Sequence, residues 1–124
     1  MKITRPSGQH GIGKVLRAMG NVSGFVFEAE SEPTLYWAGD IICCAEIAKV
    51  SDPVQPDIII THSCGAGWEN VLILMNAVQT VAVCQAAPIS VVIAAHMDAV
   101  DHATVSCAEL RAYAKANDYQ PESL

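Results

Sequence analysis

Apolar β-type runs that end on a charged or imidazole side chain constrain this chain more than any other feature. Asp40 closes Thr34-Leu35-Tyr36-Trp37-Ala38-Gly39, and His96 closes Ile89-Ser90-Val91-Val92-Ile93-Ala94-Ala95. His10 follows the opening segment Met1-Lys2-Ile3-Thr4-Arg5-Pro6 after a short loop. In an open α/β sheet, ligands bind outside the carboxyl ends of the strands. Two histidines and an aspartate gathered at such an edge make a candidate divalent-metal site. The set is short of the ligand count that a two-metal centre uses.

The remaining elements follow from pattern and punctuation. A short strand at the start leads into a glycine-rich loop (Gly8, Gly11, Gly13), then a helical turn to Met19 with Gly20 as its stop. Ser23 to Glu28 and Thr34 to Ala38 read as a hairpin about the turn Glu30-Ser31-Glu32-Pro33. A short helix is expected from Ile42 to Val50, ended by Asp52-Pro53 and Gln55-Pro56. Asp57 to Thr61, with three consecutive isoleucines, reads as a buried strand, and Val71 to Met75 as a short extended piece. Asn76 with Gln79 opens a helix to about Ala86, of capping-box type; Ile89 to Ala95 is a strand; Ser106 with Glu109 opens a last helix to about Asn117. The order is a hairpin followed by alternating strand and helix, which predicts an α/β fold with a mixed sheet flanked by helices. Residues 1–117 form one domain, and residues 118–124 read as a loose tail.

At 124 residues the chain suits one domain, and 52% hydrophobic residues against 16% charged can fill its core. So high an apolar share implies a buried sheet or apolar surface meant for a partner. The net charge of -6, without a run of Lys or Arg, argues against a nucleic-acid binder. The apolar stretch from Val71 to Ala95 is broken by Asn76, Gln79, Gln85 and Pro88, so it reads as helix then strand and no membrane span is expected. Five cysteines without a C-x-x-C, and a start unlike a signal peptide, lead to an expectation of reduced thiols in the cytoplasm.

Each candidate residue has a plain structural reading beside the chemical one. His10, in Gly8-Gln9-His10-Gly11, is a ligand or a surface histidine on a flexible loop. Asp40 bridges metals or caps the next helix. His96 is a ligand whose ring Asp98 or Asp101 would orient, or it belongs with Asp98, Asp101 and His102 to a polar loop after a core strand. His62 and Ser63 are sequence neighbours and do not make a nucleophile pair. Gly11-Ile12-Gly13 lacks the rest of a dinucleotide fingerprint. Cys43 and Cys44, near Asp40, join a metal site or are buried thiols.

Taken together, three pieces resemble the C-terminal half of metallo-β-lactamase-fold hydrolases, nearest the branch of ascorbate-6-phosphate lactonase-like and phospholipase D-like members. They are Gly8-Gln9-His10-Gly11 with Val22-Ser23-Gly24-Phe25-Val26, then Thr34 to Asp40, then Val91 to Ala99 with Asp101-His102 and Ala108 to Tyr113. The resemblance implies one half of an αββα sandwich and metal-dependent hydrolysis of ester, lactone or phosphodiester substrates. It makes His10 the family's third metal-binding histidine, Asp40 the bridging and catalytic aspartate and His96 the last histidine, with zinc or manganese as the metal. The departures are large. No H-x-H-x-D-H motif occurs, so four ligands are absent. The usual Thr after the bridging Asp is Ile41, and the loop often reading Asn-Ala-Gly-Gly is His62-Ser63-Cys64-Gly65, with His62 a substitute ligand or substrate contact. Little activity is expected from this chain alone, with a non-catalytic metal- or partner-binding module as the alternative. A half-sandwich would leave an inner sheet face bare, so self-association or pairing with a complementing N-terminal half is expected. An anion- or nucleotide-binding doubly wound domain is disfavoured by the acidic balance and the lack of a phosphate loop.

Overall fold

The computed structural model describes residues 1–42 and 44–120. Its strands are β1 (Lys2–Thr4), β2 (Ser7–Gly8), β3 (Val22–Ser23), β4 (Phe25–Glu28), β5 (Leu35–Gly39), β6 (Ile58–His62), β7 (Gly67–Trp68), β8 (Val71–Leu72) and β9 (Val91–Ala95). Its helices are α1 (Gly13–Met19), α2 (Cys44–Val54), α3 (Ala77–Ala86) and α4 (Cys107–Ala116). The main sheet has the order β1-β4-β5-β6-β9. β1, β4 and β5 pair antiparallel, while β5, β6 and β9 pair parallel. β2 with β3 and β7 with β8 form small separate ribbons. The fold is therefore α/β with a mixed sheet and flanking helices, as the order of the sequence patterns predicts.

Topology explains which face is covered. The crossovers β5–α2–β6 and β6–α3–β9 step the same way across the sheet. Parallel crossovers are right-handed almost without exception, so both helices fall on one face. Val26, Tyr36, Ala38 and Ile59 point into that face and pack with Ile47 of α2 and Val83 of α3. Burial there pushes the Tyr36 hydroxyl up to about 12, with the Glu46 charge adding to it. The residues between them point the other way. Ile3, Phe27, Leu35, Ile58 and Val91 align in one row across the sheet, and Phe25, Trp37, Ile60 and Ile93 in the next. Ile3, Phe25, Trp37, Val91 and Ile93 are exposed, at 36–62%.

A second apolar cluster sits beyond the carboxyl ends of the strands, where Val15 of α1 meets Cys64, Ala66, Ile73 and Leu74. It supports the loops that carry the candidate site. The Ser106–Glu109 capping box is present in full. At Asn76 only half of the expected box forms: its side chain accepts from the Gln79 N–H, while the Gln79 Oε1 is buried without a partner.

The expected end of α2 before Asp52-Pro53 is not where the helix stops. It runs through Pro53 to Val54. Val50 and Val54 pack on the main core, and the Gln55 N–H closes the last turn on Ser51 O at 2.7 Å with Gln55 at φ 49. A proline in a last turn forfeits one donor, a cost the packing of that turn offsets. Among the described residues no helix is long and apolar enough to cross a membrane. Cys43 and residues 121–124, the end of the expected tail, lie outside the described residues.

Candidate metal centre

Three loops after parallel or adjacent strands converge at one edge of the sheet. Gly39 at φ 72 turns the chain at the end of β5, in a conformation that costs a residue with a side chain. Asp40 follows it. The Ile42 N–H donates to Gln9 O at 2.9 Å, which lays the His10 loop over the Asp40 loop. At the end of β6, Thr61 and Ser63 face the buried side. Their hydroxyls meet at 2.9 Å, and the Thr80 hydroxyl of α3 donates to Asn76 O and pairs with Ser63 Oγ, both at 2.8 Å. Strand alternation then sends His62 to the opposite, open side. The Ser63 N–H donates to Ala95 O at 3.1 Å, tying this loop to the one that presents His96.

The result is a compact group. Asp40, His62 and His96 each bring one donor atom within 4.8 Å of the others. His62 Nδ1 lies 2.6 Å from Asp40 Oδ1 and 3.4 Å from His96 Nδ1, and the two rings meet edge-on at 87°. The Trp37 indole N–H donates to His62 Nε2 at 3.2 Å. An indole nitrogen can only donate, so Nε2 accepts and the proton of a neutral His62 sits on Nδ1. In this arrangement His62 donates to the Asp40 carboxylate.

That bond is the main reason the Asp40 carboxyl is held below its ordinary value of 3.8. Burial opposes it, and the charges of His62, His10 and His96 reinforce it. His10 is not one of the three converging groups, yet it lies near enough to act on Asp40. Its Nδ1 donates to Ile73 O at 2.7 Å, which leaves Nε2 as the free lone pair. A ring fixed through one nitrogen with the other open is the usual state of a metal-binding histidine.

His96 sits at φ 61, a left-handed conformation uncommon for so large a residue, and such strain collects at functional sites. Neither Asp98 nor Asp101 orients its ring. Asp98, itself at φ 53, accepts from the Cys107 N–H at 3.1 Å, and contact with Cys107 holds its carboxyl low. Asp101 pairs with His102 at 3.3 Å on the exposed surface. The positive φ at both 96 and 98 turns the loop so that Asp98 faces the start of α4. Asp40 does not serve as a helix cap, because its carboxylate goes to His62 and α2 begins at Cys44.

Trp37 and the central place of His62 escape a reading of sequence neighbours. The signal was present in strand parity: His62 shares a face with Ile58 and Ile60, and that face adjoins Trp37 on β5.

As a donor set, one carboxylate and imidazole nitrogens suit zinc or a similar divalent ion. Asp40 and His96 fit directly, and His10 Nε2 is free. His62 fits through Nδ1 only after losing the proton that it shares with Asp40.

No family model matches the chain. It is 32% identical to the UPF0173 protein YddR of Bacillus subtilis (strain 168) over 130 aligned positions, which take in all of this chain and 50% of that protein. Among solved structures, it resembles an isothiocyanate hydrolase from Delia radicum gut bacteria with a TM-score of 0.85 and 25% identity, over 97% of this chain and 52% of that one. It resembles a possible metal-dependent hydrolase from Veillonella parvula DSM 2008 with a TM-score of 0.85 and 28% identity, over 97% of this chain and 51% of that one. The chain thus has the fold of about half of a metal-dependent hydrolase, and it spans about half the length of the relatives it matches.

Proposed function

We propose that this chain carries part of the metal centre of a metallo-β-lactamase-fold hydrolase, with Asp40, His96 and His10 as ligands for zinc or manganese. The observation that carries this reading is the convergence of Asp40, His62 and His96 within 4.8 Å at the carboxyl edge of the sheet. In full-length relatives the substrates would be small esters, lactones or phosphate compounds. A bound divalent ion supplies Lewis-acid activation of water and of the scissile centre. The chain's own residues do the rest. Asp40 offers the anionic ligand, His62 holds that carboxylate in place through Nδ1–H, and Trp37 fixes the tautomer that lets it do so. The free thiols of Cys64, Cys84 and Cys107 support a reducing, cytoplasmic setting.

Three ligands are fewer than a hydrolytic two-metal centre uses, so little turnover is expected from this chain alone. That shortfall also favours a second reading, a non-catalytic metal-binding module. Metal content by plasma mass spectrometry tests the site: about one zinc or manganese per chain, lost in Asp40→Ala and in His96→Ala. Absence of metal from the native chain after zinc loading would sink the proposal. Turnover of lactone or phosphodiester substrates that Asp40→Ala abolishes would decide for catalysis over the module.

A further inference from the structure

We infer, on the metal-centre reading above, that His62 is itself a ligand and that Trp37 competes with the ion for it. When a divalent ion enters, His62 Nδ1 gives up the proton it shares with Asp40 and turns its lone pair to the ion. The ring proton passes through water to Nε2, and the Trp37 indole lets go of that nitrogen. His62 then joins Asp40, His96 and His10 and replaces none of them. Its hold on the Asp40 carboxylate belongs to the free centre, where the shared proton stands in the ion's place.

The geometry favours Nδ1. One of the three donor atoms that lie within 4.8 Å of one another comes from His62. The Nδ1 atoms of His62 and His96 are 3.4 Å apart. Two nitrogens each about 2.0–2.1 Å from a zinc ion and separated by the tetrahedral angle stand roughly 3.3–3.4 Å apart. The two rings already have that spacing.

As a hydrogen bond the same contact is long. Neutral His62 has one ring proton, and the Trp37 indole places it on Nδ1. Asp40 Oδ1 receives it at 2.6 Å, which leaves the His96 nitrogen at 3.4 Å without a proton directed at it. A cation in place of that proton serves all three groups at once. The Asp40 contact has to widen by roughly 0.7 Å to reach the spacing of two zinc ligands. Asp40 can make that move, because its side chain is 46% exposed while that of His62 is 17% exposed.

Trp37 opposes the exchange. A neutral imidazole bound through Nδ1 carries its proton on Nε2. Two N–H groups would then face each other across the present 3.2 Å, so the indole bond is lost. This gives the two roles of His62 opposite signs. If His62 only positions Asp40, it keeps its Nδ1 proton when the ion binds, and the indole helps. If it binds the ion, the indole hinders.

The test is zinc titration of the nitrogen-15-labelled chain at fixed pH, followed by proton–nitrogen NMR of the imidazole rings and the two indoles, with Trp68→Phe to assign the Trp37 signal. The expected result is that the His62 proton moves from Nδ1 to Nε2 and the Trp37 indole signal shifts as its bond breaks, while Trp68 stays in place. Trp37→Phe should bind zinc about 2–10-fold more tightly than the native chain, the worth of one competing hydrogen bond, measured by competition with a chromophoric chelator. His62→Phe should bind zinc more weakly, and adding Trp37→Phe to it should change nothing further. A zinc-loaded chain in which His62 keeps its Nδ1 proton and the Trp37 signal holds would overturn the inference and leave the metal centre standing. So would a Trp37→Phe chain that binds zinc no more tightly than the native one. A native chain that retains no zinc, with no histidine signal responding, would overturn the metal centre and this role of His62 together.

Discussion

At the residue scale the centre depends on who holds which proton. Trp37 accepts nothing, so its indole N–H keeps the His62 proton on Nδ1, facing Asp40. Trp37→Phe removes that constraint and frees His62 to use the other tautomer. The expected outcome is a weaker His62–Asp40 bond and an upward move of the Asp40 titration, read by carboxyl-carbon NMR across acid pH. An unmoved titration would show that the indole does not control the pair. His96 poses a different trade. Its left-handed backbone costs a residue of its type roughly 1–2 kcal/mol. Asparagine tolerates that region better, so His96→Asn should hold or raise the unfolding free energy by up to about 1 kcal/mol while metal uptake falls. A loss of stability in chemical denaturation would refute the claim of strain.

At the element scale the caps are the legible features. The Ser106 hydroxyl accepts from the Glu109 N–H at 3.2 Å, and the Glu109 carboxylate accepts from the Ser106 N–H at 2.8 Å. Ser106→Ala should cost about 1 kcal/mol, measured by urea denaturation. The Ser106 N–H, and next the Ser106 hydroxyl donating to the same carboxylate at 2.8 Å, hold the Glu109 carboxyl below its ordinary value of 4.5. A depressed carboxyl contributes stability that is present above its unfolded value and lost as pH falls through its folded value. Amide exchange at the start of α4 should therefore quicken as pH drops below about 4.5 relative to α3, after correction for intrinsic rates. Glu109→Ala should abolish that pH-dependent difference.

Local pattern served these caps well, since Ser106, Asn76 and Gly20 act on residues a few positions away. It served Pro53 poorly. A proline preceded by Asp52 reads locally as a stop, but Val50 and Val54 reach the main core only if the turn stays helical.

At the scale of the whole molecule the two faces of one sheet have opposite economies. Ile59 is fully buried against the helices, whereas Val91 is 62% exposed on the open face. Ile59→Ala should cost about 2–5 kcal/mol. Val91→Thr should alter monomer stability by no more than about 0.5 kcal/mol. Thermal or urea unfolding at a concentration low enough to keep the chain monomeric compares the two. Equal losses would mean that the open face is covered within a single chain.

The sequence by itself determined the strand–helix order, the mixed α/β class and the placing of Asp40 and His96 directly after strands. Those properties follow from period, punctuation and short-range capping, which act within a few residues. Tertiary structure decided what those residues touch. It put His62 between Asp40 and His96, because β6 lies between β5 and β9 and the buried hydroxyls of Thr61 and Ser63 turn His62 outward. It sent Asp98 to Cys107 rather than to His96. It left one sheet face bare, because two right-handed crossovers stepping the same way must place both helices on the other. The Asp40–His62 and His62–His96 contacts join residues 22 and 34 positions apart, a separation across which local pattern carries no information about partners.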